Sequence, residues 1–467
     1  MRRFSYGFIV IFILFLSIFS CREDLDYQTA SHPLRFSKDT ILLDTVFSTI
    51  RSQTYVLKVY NQQNEDVTIP LIYLDKGINS QFKINVDGTP GTHENNNRFV
   101  NVPIKAKDKI SIFIEVAPKS IDSTSLVADE DLIFNTLGNS QKVKLLTLIE
   151  DADFYYSAGG NIKINSDLVW DKSKPKVIYG NLEIDNGSKL TIEEGSQIYF
   201  HKDASLIINN KSKLFVNGTL NSKVTFRSDR RNARYDSLAG NWKQIKLMPQ
   251  AEATINYSLL KGGENAFYLE EGSKLNITNT EIYNFLYSGI YSEGGNVVGQ
   301  NLAMNNFGLA ALFVENGGNY NFTHCTFANY WNLTTGTTYS VYLSNKQQNS
   351  AENIYKDLSV TFNNNIFWGR SANNLYLDNK NLKLFNYKFN TNLIRNSNLN
   401  INTDSNFNNT ILDKDPLFNK TSYSNTVLSL KPNSPAKNNG NPNFSVTVPL
   451  DILGVDRALN PSLGAYQ

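Results

Sequence analysis

The chain is poor in several kinds of chemistry. Of its 467 residues two are cysteines, Cys21 and Cys325, and four are histidines, at positions 32, 93, 201 and 324. Two cysteines allow at most one bridge, so stability in an oxidising compartment has to come from packing and not from a disulfide framework. No two histidines share a spacing such as HxxxH, which removes the ordinary zinc-enzyme signature. Formal net charge is +2, without the dense basic face that nucleic acid requires. The one long apolar run, residues 8–19, is too short for a spanning helix, which takes about 20 residues. After it no long stretch has a 3.6-residue apolar period, whereas 24 tyrosines and 28 phenylalanines sit among polar turns. That pattern predicts an all-β chain.

Arg2 and Arg3 before the apolar run make residues 1–20 a secretory signal. Ile18, Phe19 and Ser20 directly before Cys21 resemble a bacterial lipobox, with a bulky Phe19 where the motif has a small residue. The resemblance implies that Cys21 is acylated and becomes the first residue of the mature protein. An uncleaved signal anchor and an ordinary secreted protein are the alternatives. A multiply acylated cysteine anchors stably because each buried methylene contributes about 0.8 kcal/mol. Residues 21–33 then form a lipidated tether. Arg22-Glu23-Asp24 resembles the short tag that sends some Gram-negative lipoproteins to the outer face of the outer membrane, so the expected location is the cell exterior.

Residues 34–150 read as short alternating strands between polar turns, among them "TYVLKVYN", "KISIFIEVAP" and "KVKLLTLIE". The spacing suits a β-sandwich, and Lys58-Val59-Tyr60-Asn61 followed by "VTIPLIYL" resembles immunoglobulin-like modules. Asp129-Glu130-Asp131 could bind calcium but reads first as a solvated loop.

From residue 155 the chain counts in eights. Leu182, Leu190, Ile198, Leu206 and Leu214 stand eight apart, each with an apolar partner two residues later, and corner residues such as Asn186-Gly187 and Asn217-Gly218 lie between. Three such sides make a coil of about 24 residues, the rung of a parallel β-helix. Further on, Ser258, Thr280, Asn301, Cys325, Asn365 and Asn392 align as an inward polar ladder, with apolar residues three before (Ile255, Ile277, Val298, Phe322, Phe362, Phe389) and two after. Residues 155–410 are therefore expected to form a single-stranded, right-handed parallel β-helix in which Cys325 is a small buried residue. Residues 411–467 lack the repeat and are expected to cap it. "YGNLEIDNGSKLTIEEGSQIYF" and the Asp415-Pro416-Leu417-Phe418 tail resemble secreted pectin-lyase-like β-helix proteins and bacterial surface lipoproteins built on them.

That resemblance admits a polysaccharide lyase or glycoside hydrolase. Such hydrolases carry paired carboxylates; here Asn402-Thr403-Asp404 stands alone, and no Asp ladder at coil spacing is evident. Catalytic residues are therefore not assigned, and no cofactor or metal is expected. Two insertions interrupt the coils, where binding residues tend to sit. One gathers Arg230, Arg231, Arg234, Tyr235 and Trp242, suited to an anionic sugar or lipid headgroup. The other carries Tyr330, Trp331 and Tyr339, with Trp368 and Arg370 one strand later, suited to sugar rings. A non-catalytic polysaccharide-binding or adhesion protein is the leading expectation, with a lyase or hydrolase and a structural envelope protein as alternatives. The membrane, through the lipid, and a polysaccharide are the expected partners, and the pattern specifies no oligomeric state.

Overall fold

The computed structural model describes residues 27–467 except positions 120, 122–124, 158, 160, 232, 348–353, 379–380, 399–400 and 402. Cys21 and the signal lie outside the described residues. The chain divides into two compact units at Glu150/Asp151, and among the described residues every regular element is a strand or a short 3-10 turn.

The first unit has two sheets. One is built on Val67–Leu74, Arg98–Ile104, Ser125–Thr136 and Asn139–Glu150, the other on Tyr55–Tyr60, Phe82–Val86 and Lys109–Val116. Alternation decides which side chains face inward: Ile110, Ile112, Ile114 and Val116 from one sheet share a core with Ile72, Leu132, Phe134 and Leu145 from the other. Asp129-Glu130-Asp131 is part of the strand Ser125–Thr136 and not a loop. Glu130 points inward, is 3% exposed, and accepts hydrogen bonds from the Ser80 hydroxyl and the Lys76 backbone. Burial pushes its carboxyl above the usual range. Asp131 is paired with Lys142 and Lys144, so the cluster is spent on structure.

The second unit is a parallel β-helix of three sheets. The first face starts with Asp153–Tyr155, the second with Asn161–Ile164 and the third with Leu168–Trp170, and each later strand lies parallel on the one a coil earlier. The period of eight sets the register: Leu182 lies opposite Leu206 and Leu190 opposite Leu214, so residues 24 apart stack on one face. Inward residues of all three faces fuse into one core.

The inward ladder forms with one correction. Asn365 Oδ1 accepts from the Cys325 backbone at 2.7 Å, and Asn392 Oδ1 from the Asn365 backbone at 2.8 Å. Cys325 sits in the ladder, wholly buried, and its thiol is pushed up to about 12 by burial. Between Thr280 and Cys325, however, the rung residue is Leu302 and not Asn301, because Gly299 and not Val298 pairs with Ile277 and Phe322. A Cβ on Gly299 would stand 2.4 Å from the Phe322 ring and 3.0 Å from Leu302; those two side chains fill the space that an inward valine would have taken. Asn301 moves to the corner. It joins Asn279 and Asn364 in the left-handed region (φ 53°, 50° and 56°), which asparagine tolerates better than most residues. Its amide donates to Asn279 at 2.8 Å.

The tail is not confined to an end of the column. Phe418, Leu428, Leu430, Ile452, Leu463 and Ala465 pack against outward residues of the first face, Ala303, Ala328, Ile366 and Leu393. Its backbone and side chains bond to Glu281, Asn305, Thr326 and Asn364, which belong to successive coils. Prolines such as Pro416, Pro435 and Pro449 withhold ladder donors, so the tail cannot add another coil and covers the side instead.

Candidate functional site

The arginine insertion leaves the first face after Val224–Ser228 and enters the second at Gln244–Leu247. The guanidinium groups of Arg227, Arg230 and Arg231 turn back onto the protein. Arg227 pairs with Asp236. Arg230 donates to the Tyr235 hydroxyl at 2.7 Å and lies over that ring, and Arg231 lies 5.2 Å from the Tyr199 ring centre. Arg230 and Arg234 are exposed, Arg231 and Tyr235 half-buried. Beside them, one residue per coil builds a corner column. The Tyr156 ring meets Tyr179 edge-on, Tyr179 stacks on His201 at 4.5 Å, and His201 Nδ1 is 2.7 Å from Asp229 Oδ2. That hydrogen bond to Asp229 outweighs burial and raises the imidazole above its ordinary value, while burial pushes the Tyr179 phenol up to about 12. Trp242 does not belong to this surface. It is 1% exposed, stacks on Phe200 at 4.3 Å and donates Nε1–H to the Lys261 carbonyl at 2.7 Å. An indole that bridges the core and the next coil has no face left for a ligand.

The aromatic insertion is taken up by the tail. Trp331 is 3% exposed, donates to Thr334 at 2.8 Å and meets Tyr423 edge-on, while the Tyr423 hydroxyl accepts from the Asn332 backbone at 2.9 Å. Tyr330 is half-buried against the tail core, and burial raises its phenol. Trp368 is buried in the same core, with Arg395 5.2 Å from its ring centre. Arg370 is exposed and its backbone donates to Asn329. Trp331 and Trp368 are therefore withdrawn as sugar platforms, and the ten residues chosen from sequence do not converge on one site.

Tyr339 does reach an open surface, the second face, where sequence reading missed an ordered array. Tyr268, Tyr291, Phe313, Tyr342 and Tyr376 occupy one outward register and stack at 5.1, 5.2, 4.3 and 4.9 Å. Because the rings are nearly parallel, their faces are spent on one another and mainly edges and hydroxyls meet solvent. Two positions further along the chain lie Glu270, Glu293 and Glu315, a column of glutamates where the sequence reading sought only aspartates. Tyr268 donates to Glu293 at 2.7 Å and Tyr291 to Glu315 at 2.6 Å, each reaching one coil onward. Burial raises the Glu315 carboxyl. Coil spacing was the available signal: 293 and 315 differ by 22. Asn402 lies outside the described residues, and Asp404 accepts the Tyr387 hydroxyl at 2.5 Å, a structural task. Among the described residues no cluster of three or more acidic, histidine or cysteine side chains could hold a metal.

No protein-family model matches the chain, and no curated protein matches it either. Among solved structures it is similar to the ASH/PapD-like domain of human CEP192 (PapD-like domain 7), at 9% identity over 28% of this chain and 97% of that one, with a TM-score of 0.17. It is also similar to XylC in complex with xylose, at 8% identity over 80% of this chain and 76% of that one, with a TM-score of 0.30. Neither likeness bears on function.

Proposed function

We propose that the protein is a lipid-anchored cell-surface protein that binds an anionic polysaccharide or envelope partner without catalysis. The observation that supports this reading is the corner where Arg230, Arg231 and Arg234 gather beside the Tyr179–His201–Asp229 column, on side chains that are exposed or half-buried and take no part in the tail core. Guanidinium forks suit carboxylate and sulfate groups. In a binding assay against immobilised anionic polysaccharides, Arg230→Ala with Arg231→Ala should weaken retention at least about tenfold. Unchanged retention would remove the site. Anchoring at Cys21 is tested separately: metabolic labelling with palmitate should be lost in Cys21→Ala, and protease added to intact cells should degrade the wild-type protein.

The stacked pair Glu293 and Glu315 keeps a second reading open, a glycoside hydrolase. Retaining enzymes place two carboxyl groups about 5–5.5 Å apart, close to one coil rise, and a carboxyl raised by burial suits a general acid. Release of reducing ends that disappears in Glu315→Gln would favour the enzyme over the binder.

A further inference from the structure

The third face differs from the other two. The first lies partly under the tail, and the second presents a column of stacked rings beside its acids. On the third, two outward registers run side by side over five coils. One is Lys274, Asn296, Asn319, Ser359 and Asn386; the other is Asn276, Val298, Asn321, Thr361 and Lys388. Two hollows of about 370 and 520 Å³ lie over these registers and share Ser359 and Thr361, so they form one continuous groove along the helix axis.

We infer that this groove is a second binding site, for an uncharged polysaccharide lying along the axis. Three observations carry it. The polar lining is mostly amides and hydroxyls, with Lys274 and Lys388 at its ends, and no carboxylate is among the described lining residues. An amide both donates and accepts, as a sugar hydroxyl does. Much of the capacity is also unspent: among the described residues, the side chains of Asn276, Asn321, Ser359, Thr361 and Asn386 make no hydrogen bond within the chain, whereas Asn319 donates to Asn296 at 3.0 Å and Asn296 to the Ser273 carbonyl at 3.3 Å. Beyond the groove, asparagines at the ends of the last strands of this face bond to one another, Asn390 donating to Asn363 at 2.9 Å and Asn408 to Asn390 at 3.0 Å. Finally, the strands repeat these groups at a coil rise of about 4.8 Å, comparable to the advance of a glycan chain per sugar unit, so successive units meet successive coils. Val298, 43% exposed, supplies an apolar spot for the carbon face of a ring.

Charge argues for a neutral chain. Lys274 is paired with Glu252 at 3.1 Å, which leaves Lys388 at one end, whereas a polyanion calls for a cation at each coil. The groove lies on a different face from the arginine corner, so the two sites can fail independently, although both belong to the reading of the protein as a glycan binder.

The test uses the full mature chain against immobilised β-glucan, α-glucan, mannan and xylan, with polygalacturonate as the charged comparator. The wild type should retain at least one neutral glycan. Asn321→Ala with Thr361→Ala, both at partnerless positions that leave the fold intact, should weaken that retention about tenfold, and Arg230→Ala with Arg231→Ala should leave it unchanged. The inference is overturned if no neutral glycan is retained, if the groove variant retains it as the wild type does, or if the arginine variant alone abolishes it. Loss of polygalacturonate retention in the arginine variant bears only on the corner site.

Discussion

The two insertions leave the coils at the same place, between the first and second faces, and their fates differ. Residues 229–243 turn back on their own coil through Arg227–Asp236 and Arg230–Tyr235, yet keep Arg230 and Arg234 exposed. Residues 330–338 lie where the tail crosses, so Trp331 is buried against Tyr423. An insertion on a rigid scaffold offers its side chains to a ligand only where nothing else in the chain has claimed them, and composition does not reveal the claimant.

The comparison is broken most sharply by truncating one residue from each insertion. Trp331→Ala removes a buried indole with its Thr334 hydrogen bond and should cost about 3–5 kcal/mol. Arg231→Ala, on a half-buried side chain over Tyr199, should cost less than about 1 kcal/mol. Denaturant unfolding of both variants checks this. Equal losses would mean that the two insertions are packed alike.

How much of this was legible follows the range of the forces involved. The period of eight and the coil-length repeat after it are local patterns; the first carries the pairing of Leu182 with Leu206 and the second the place of Cys325 in the ladder. Val298 departs from the rule that an apolar residue points inward, because Phe322 of the next coil and Leu302 of its own coil fill that space. The aromatic and acidic registers of the second face were written at coil spacing too, but the insertions stretch the steps from Phe313 to Tyr342 and from Tyr342 to Tyr376 to 29 and 34 residues, which hides the column. The tail, and with it the burial of Trp331 and Trp368, depends on contacts such as Tyr466 with Glu281, 185 residues apart. No local pattern carries that.

The clamp between tail and coils predicts an acid sensitivity of medium size. His324 is wholly buried, held by Ser445 at 2.9 Å and Asn364 at 3.1 Å, and burial, with Arg457 nearby, holds its imidazole down to about 2. The folded value lies below the ordinary 6.5, so below pH 6.5 the unfolded chain takes up a proton that the native state refuses. Stability therefore falls on acidification from about pH 6.5 towards 2, by at most about 1.4 kcal/mol per pH unit from this group. His324→Gln should flatten that slope in unfolding measured between pH 4 and 7, and an unchanged slope would place the acid sensitivity elsewhere.

His201, at the open corner, has the opposite sign and the smaller effect. Its hydrogen bond to Asp229 raises the folded value above 6.5, so the stabilisation is fully present below that pH and is lost as pH rises through the folded value. The side chain is 48% exposed, and solvent screening reduces the contribution to below about 0.5 kcal/mol. Titration followed by NMR is the sensitive measurement here: Asp229→Asn should lower the midpoint of His201 and leave the stability nearly unchanged. A midpoint that stays in place would mean that Asp229 does not hold the proton, and the corner would then present a neutral imidazole near pH 7 with only its arginines to attract an anion.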